Sequence, residues 1–169
     1  MTIIIYPICA IASWIFTIIA YLFSPAIALA VDANGNLPKY LSYFQTPDAP
    51  CWGADFWATD NPTYTKYKLI VTWLWRNPAQ GFDQSVKANI SANTQVTVRG
   101  NLGIRDTAPY ISGWFLLTGD GYFQLSIVWP VFGIRIVSHS GWNLEPLAKR
   151  YEHKTLGALK ATPFRFYIG

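Results

Sequence analysis

The sequence predicts an α+β fold, in which an N-terminal transmembrane helix is followed by a small antiparallel-sheet domain with one or two helices. Three observations predict it. Residues 3–23 form an apolar run, two later segments place apolar residues at helical spacing, and strand-like alternation recurs after residue 81. We therefore divide the 169 residues into a membrane anchor with its linker, residues 1–31, and one aromatic-rich domain, residues 32–169.

The apolar run is long enough to cross a bilayer. A spanning helix needs ~20 apolar residues, and the first charged side chain of the chain is Asp32. Pro7 lies in the first turns, where a missing backbone N–H costs little, and Pro25 is expected to end or kink the helix. We expect the hydroxyls of Ser13 and Thr17 to bond to the helix backbone.

A cleavable signal peptide is the main alternative, with residues 28–30 (Ala-Leu-Ala) as the cleavage site. The length of the apolar run and the absence of Lys and Arg before it favour a retained anchor. A buried helix of a soluble fold is disfavoured, because apolar residues occur on every face. Lys39, with Asp32 and Asp48 nearby, tips the positive-inside rule slightly toward a cytoplasmic domain.

Two segments predict helices in the domain. Residues 37–44 carry a proline at the first helical position and apolar residues on one face. A longer helix is predicted from Asn61, as its N-cap, with Pro62 as the first helical residue, to an end at residues 76–78. A strand is the alternative for residues 68–75, because β-branched and aromatic residues are frequent there.

The C-terminal half predicts an antiparallel meander of four to five strands. Gly119-Asp120-Gly121 is typical of a hairpin turn with positive φ, and Pro130 is expected to stop the strand before it. The predicted strands are residues 95–99, 110–118, 122–129, 132–139 and 164–168.

Three aspartates, Asp48, Asp55 and Asp60, lie together in a proline-rich loop. Hard cations bind several converging oxygens, so these residues are candidate metal ligands. A metal-dependent hydrolase that uses this loop, with His139 or His153 as proton carrier, is one alternative function. The spacing matches no calcium-loop motif, and aspartates in such loops commonly cap turns. No cofactor is predicted.

Cys51 is the only cysteine of the domain. A thiol paired with a histidine is a known nucleophile, but no catalytic motif surrounds Cys51 or occurs elsewhere in the chain. Catalytic residues therefore stay unassigned, and a protein without enzymatic activity is favoured.

Candidate binding residues are Trp52, Trp57 and Arg76. Tryptophans on a loop offer apolar contact area to a partner, although core packing is the simpler role for most of them. We expect Arg76 to pair with Asp48 or Asp55 and so to hold the loop against the second helix.

The net charge of +4 comes from the end of the chain. Residues 32–134 carry seven basic and seven acidic side chains, whereas residues 135–169 carry six basic and two acidic. Anionic headgroups would attract such a stretch, but this balance is typical of a solvated surface. Nucleic acid is therefore not an expected partner.

Three segments resemble a family of small uncharacterised proteins of tailed bacteriophages and prophages. They are residues 37–50 with the block FQTPD, residues 73–83 with the block WLWRNPAQGF, and residues 141–147, GWNLEPL. The resemblance implies provenance rather than chemistry, and it carries over no catalytic residue.

Together these observations predict a membrane-anchored phage accessory protein, with a single pass through the bacterial inner membrane of the host. Its expected partners are the lipid bilayer and a host or phage membrane protein. A lysis factor or a superinfection-exclusion factor is a further alternative.

Overall fold

The computed structural model describes residues 2–53, 55–106, 109–132, 134–152 and 154–168, without the side chains of residues 2–4, 55–56 and 163–168. An N-terminal apolar helix precedes a five-stranded antiparallel sheet and a few short helices, which confirms the predicted α+β class. The elements are α1 (Thr2–Ala28), a 3₁₀ helix (Lys39–Phe44), α2 (Asp55–Asp60), α3 (Lys66–Arg76), α4 (Gln80–Ser85), β1 (Thr97–Gly100), β2 (Gly113–Gly119), β3 (Tyr122–Val131), β4 (Ile134–Trp142) and β5 (Leu159–Ile168).

The chain forms two compact units. The helical unit contains residues 11–85, and the sheet unit contains residues 1–10 together with residues 86–169. Helix α1 therefore contributes its first turns to one unit and the rest of its length to the other. The predicted boundary between anchor and domain after residue 31 stays a prediction.

The sheet is a meander in the order β1-β2-β3-β4-β5. The predicted hairpin turn is confirmed, since Asp120 and Gly121 have φ of 50° and 79° and connect β2 to β3. Strand β3 continues through Pro130, contrary to the prediction. Because β2 pairs only as far as Val128, one edge of β3 is open at Pro130, and a proline there disrupts no ladder bond on that side.

One face of the sheet carries the core of the sheet unit. Alternate residues of β2, β3 and β4 point to this face, and the apolar ones are almost fully inaccessible to solvent: Phe115, Leu117, Val128 and Val137. Leu144, just after β4, is equally buried. This alternation follows from the two-residue period of strands.

The predicted helix in the middle of the chain is confirmed as α3, and the strand alternative is wrong. Its predicted start at Asn61 is also wrong, because Thr65 is the N-cap and its hydroxyl accepts a hydrogen bond from Lys68 N at 3.2 Å. Asn61 instead follows the end of α2, where its side-chain amide donates to the Trp57 carbonyl at 2.9 Å.

Close backbone packing positions α4. A Cβ added to the buried Gly81 would lie 2.2 Å from the Ser42 carbonyl oxygen and 2.6 Å from that of Gln45. Only glycine therefore allows α4 to pack this closely on the 3₁₀ helix.

Candidate functional site

Helix α1 has an outer face of large apolar side chains. Their exposed fractions run from 39% at Tyr21 to 78% at Leu29, which directly follows the helix. By length and composition the helix suffices to cross a membrane. The outer-face residues are Ile5, Ile8, Ile11, Trp14, Ile15, Ile18, Tyr21, Leu22, Phe23 and Leu29.

The inner face of the same helix is small and partly polar. Ala20, Ser24 and Ser13 are almost completely buried, whereas the isoleucines opposite them are exposed. Water-soluble helices show the reverse arrangement, with large apolar residues inside. The apolar composition of α1 predicts equivalent faces, and the structure separates them. The buried residues are Ala10, Ser13, Ala20, Ser24, Ile27 and Ala28.

Hydrogen bonds to side chains tie the inner face to the rest of the helical unit. Ser13 Oγ donates to Asp83 Oδ1 at 2.6 Å, rather than to its own helix as predicted. Trp75 Nε1 donates to Ser24 Oγ, also at 2.6 Å. A charge-assisted bond such as the first contributes about 1.5–3 kcal/mol, so α1 is an integral part of this unit.

An aromatic cluster completes the contact in the middle of α1. The Phe16 ring lies 4.8 Å from the Phe82 ring of α4, between centroids, and 5.5 Å from the Phe44 ring of the 3₁₀ helix. Tyr43 also contacts Phe16 and Phe82. Ring pairs at these distances add about 0.5–1.5 kcal/mol each beyond the area they bury.

In the sheet unit, the first turns of α1 pack through Tyr6. Its ring meets Phe123 edge-on at 5.3 Å and Trp142 at 6.0 Å, between centroids. The Tyr6 hydroxyl donates to the Lys160 carbonyl at 3.1 Å. The start of the helix is therefore fixed by aromatic packing, with the polar tip of Tyr6 satisfied.

A second exposed apolar group, the hairpin patch, lies at one end of the sheet. It consists of Trp114, Trp129, Phe132 and Ile134. Trp114 opposes Ile127 in the register, two positions before Trp129, so both tryptophans lie on the same face. Phe132 lies in the β3–β4 turn with a φ of 48° and is fully exposed. Exposed aromatic clusters of this kind are typical of binding surfaces.

The aspartate loop stays an untested metal site. Asp48 and Asp60 are exposed, and the side chain of Asp55 lies outside the described residues. Within the described part of the chain, no three His, Cys, Asp or Glu side chains come close enough to hold a metal ion. Asp48 lines an open depression of ≈ 350 Å³, with Asn34, Asn36, Gln45 and Trp52 among the other lining residues.

The three candidate binding residues have structural contacts. Gly35 lies directly against the Trp52 ring, and the ammonium of Lys66 lies 3.9 Å above that ring. The Arg76 guanidinium lies 5.2 Å from the centre of the Trp57 ring. Arg76 and Asp48 form no ion pair in the structure, and the other predicted partner, Asp55, has no described side chain.

Cys51 lies in the apolar core of the helical unit with 1% of its surface exposed. Desolvation by burial raises the pKa of its thiol to about 11, with a smaller contribution in the same direction from the charge of Asp32. At neutral pH the group is therefore a thiol, which is a poor nucleophile. His139 has its Nδ1 3.0 Å from Ser126 Oγ, and His153 lies outside the described residues.

An ion cluster that was not predicted from the sequence surrounds the buried Glu145 in the sheet unit. Glu145 Oε1 lies 3.2 Å from Arg150 Nε, and Oε2 lies 3.5 Å from Lys160 Nζ. The Arg150 guanidinium also donates to the carbonyls of Leu102 and Ile104. These contacts join a loop, a turn and β5, which assigns a structural role to the GWNLEPL segment. No spacing in the sequence signals such a cluster.

The whole chain, residues 1–169, matches the profile of a family of unknown function, DUF7338. This chain belongs to that family. No curated protein and no solved structure matches it. The family assigns no activity, so the surfaces described above are the features that bear on function.

Proposed function

We propose that this DUF7338 protein is a membrane-associated binding module without enzymatic activity. The observation that carries the proposal is the polarity of α1, which presents isoleucines outward and serines inward. Hydrocarbon is the surrounding in which that arrangement is stable, because apolar side chains gain free energy by leaving water. The first charged side chain follows the helix, at Asp32.

Exposure in water would be costly for this surface. Among the side chains of this segment that the structure describes, ten large apolar ones are exposed. Monomeric soluble proteins rarely leave apolar patches above a few hundred Å² uncovered, and larger patches mark membrane or protein interaction sites. A single pass through the membrane, as the sequence predicts, and a helix lying in the membrane surface both place these side chains in lipid.

The hairpin patch supports the binding half of the proposal. Aromatic side chains dominate the energy of protein interfaces, and Trp129 and Phe132 lie close together at the β3–β4 turn, fully or largely exposed. We place the protein at the inner membrane of a bacterium that carries the phage, with a host or phage membrane protein as partner. The support for that provenance is the resemblance of residues 37–50 and 73–83 to proteins of tailed phages.

Flotation with lipid vesicles tests the membrane half. Full-length protein, exchanged from detergent into vesicles of phosphatidylcholine and phosphatidylglycerol, is expected to float with the lipid in a density gradient. The double substitution Ile15→Lys and Ile18→Lys is expected to abolish flotation, because each lysine adds about 3 kcal/mol to burial in hydrocarbon. Val98→Lys, at an exposed apolar position of β1, is the matched control and should float like the parent. A parent protein that stays monodisperse at the bottom of the gradient would refute the proposal.

Site-specific photo-crosslinking tests the binding half. A photoreactive phenylalanine analogue at Phe132 is expected to give a crosslinked product in the producing bacterium, whereas the same analogue at the exposed Thr63 is expected to give none. Substituting Trp129→Ser in the Phe132 variant should weaken that product. A yield that is equal at both positions would remove the hairpin patch as a binding surface.

A further inference from the structure

We propose that α1 lies in the plane of the membrane surface, with its outer face among the lipid acyl chains and its inner face on the helical unit, instead of crossing the bilayer. The inference rests on the proposed membrane association and goes beyond it, because it specifies how the helix is oriented in the lipid.

The protein itself covers one side of α1 over much of the length of the helix. Buried inner-face residues within the helical unit extend from Ser13 to Ala28. At 1.5 Å per residue this is about 22 Å of helix, compared with ~30 Å for the hydrocarbon core. A spanning α1 would therefore carry the elements that pack on it deep into the bilayer.

The elements that pack on α1 carry polar and charged groups. Asp83, which binds Ser13, carries a carboxylate. Tyr67 of α3 donates to the Pro25 carbonyl at 3.1 Å, and its neighbours Lys66 and Lys68 are exposed. Charged side chains and irregular backbone are not tolerated where they face hydrocarbon. With α1 in the surface plane, the same elements remain in water while the outer face is immersed.

A second copy of the chain is the competing occupant of the outer face, because part of that face repeats with heptad spacing. In soluble coiled coils charged residues flank such a seam, but the flanking positions here are Ala12, Trp14, Ile19, Tyr21 and Ala26. In membrane dimers small residues form the helix contact, and in α1 the buried small residues face the protein's own core. Both comparisons favour lipid. The seam residues are Ile8, Ile11, Ile15, Ile18 and Leu22.

The test measures the depth of four outer-face positions in vesicles. Single cysteines at Ile11, Ile15, Ile18 and Leu22 are introduced into full-length protein with Cys9→Ala and labelled with a fluorophore that doxyl groups quench. The remaining native cysteine, Cys51, is buried. The Cys9→Ala parent without an added cysteine measures any labelling of Cys51. The vesicles are phosphatidylcholine and phosphatidylglycerol with doxyl groups either near the headgroup or near the acyl chain end. Thr63→Cys is the water-exposed control.

An in-plane helix lies about 5–10 Å into the boundary between headgroups and acyl chains. All four labels are then quenched more strongly by the shallow doxyl group, and Thr63→Cys by neither. About 16 Å of helix separates Ile11 from Leu22. A spanning helix therefore places these two residues at different depths, with Ile15 and Ile18 near the bilayer centre. If the doxyl group near the acyl chain end quenched the labels at Ile15 and Ile18 more strongly, the in-plane helix would be overturned. The proposed membrane association would still stand.

Two further outcomes separate the proposals. Protein that floats with vesicles but shows no quenching at any of the four positions would place the contact elsewhere and overturn the in-plane helix. Protein that does not float, and is a detergent-free dimer whose outer-face labels are shielded, would identify a second copy as the occupant and overturn both proposals.

Discussion

The two units of this protein stabilise themselves by different means. The sheet unit has a closed apolar core beside an ion cluster in which Glu145 contacts two cations. The helical unit relies on neutral hydroxyls, small residues and a close glycine contact, and it leaves the outer face of α1 uncovered. The sheet unit satisfies its buried charges internally and exposes only the small hairpin patch, whereas the helical unit leaves a much larger apolar face uncovered. The proposed contact with lipid therefore concerns mainly the helical unit.

The sharpest test of the sheet unit is Glu145→Gln. The substitution leaves Arg150 and Lys160 without their carboxylate, and breaking a buried ion pair costs about 3 kcal/mol. Thermal unfolding of the full-length protein in detergent should then show a midpoint about 6–12 °C lower. Glu152→Gln, at an exposed position, is the control and should leave the midpoint nearly unchanged. Equal midpoints for the two variants would mean that the cluster does not stabilise this unit.

Gly81→Ala tests the close packing of the helical unit. The added methyl group meets the backbone carbonyls of Ser42 and Gln45, and an overpacked site of this kind costs about 2 kcal/mol. The unfolding midpoint should fall by about 4–8 °C. Gly103→Ala meets only the flexible side chain of Asn101, and its midpoint should change much less. An unchanged unfolding midpoint for Gly81→Ala would show that α4 packs less closely on the 3₁₀ helix than described.

Ser13→Ala tests whether the inner face of α1 is a protein interface. It removes a hydrogen bond to the Asp83 carboxylate, and a loss of about 1.5 kcal/mol is expected. Ser85→Ala, which loses only a local bond to the Phe82 carbonyl on an exposed surface, is the control. Chemical unfolding in detergent measures both free energies. If Ser13→Ala and Ser85→Ala have the same free energy of unfolding, the packing of α1 does not depend on the bond between Ser13 and Asp83.

Within any one pH unit, the smallest expected effect is the pH dependence that Cys51 confers on stability. Its thiol has a pKa of 9.0 when unperturbed and about 11 in the folded protein, so only the unfolded chain loses the proton between these values. The stabilising effect of burying the neutral thiol is complete below pH 9 and falls by about 1.4 kcal/mol per pH unit up to pH 11. Unfolding free energies of the parent minus those of Cys51→Ala should therefore decline over this range, and a constant difference would contradict the raised pKa.

The parts of the fold predicted from the sequence are those that local patterns determine. The uncharged length of α1, the turn at Gly119-Asp120-Gly121 and the alternation of β2 to β4 each follow from neighbouring residues. The short helices α2 and α4 were not predicted. Helices of about six residues are not stable alone, and tertiary contacts such as that of Gly81 hold α4 in place. Tertiary context also allows Pro130 within β3, where one neighbouring strand has ended.

The candidate site was only half predictable. Hydropathy identified α1 as a helix long and apolar enough to cross a membrane, because its large residues are apolar on all sides. The small residues at positions 10, 13, 20 and 24 were visible in the sequence as a stripe at helical spacing, and this was the signal for an inner face. Its partner Asp83 lies 70 residues beyond Ser13, and no local pattern connects the two.

The dependence of α1 on distant residues has a consequence for its synthesis. The helix leaves the ribosome before its partner, since Asp83 follows 55 positions after Ala28. At about 5–20 residues per second, the inner face lacks its partners for about 3–11 s, while both faces are available to the cell's insertion machinery. Under the proposed membrane association, the final orientation of α1 thus depends on a kinetic competition between elongation and threading across the bilayer. A translational pause before residue 83 would shift that competition toward threading.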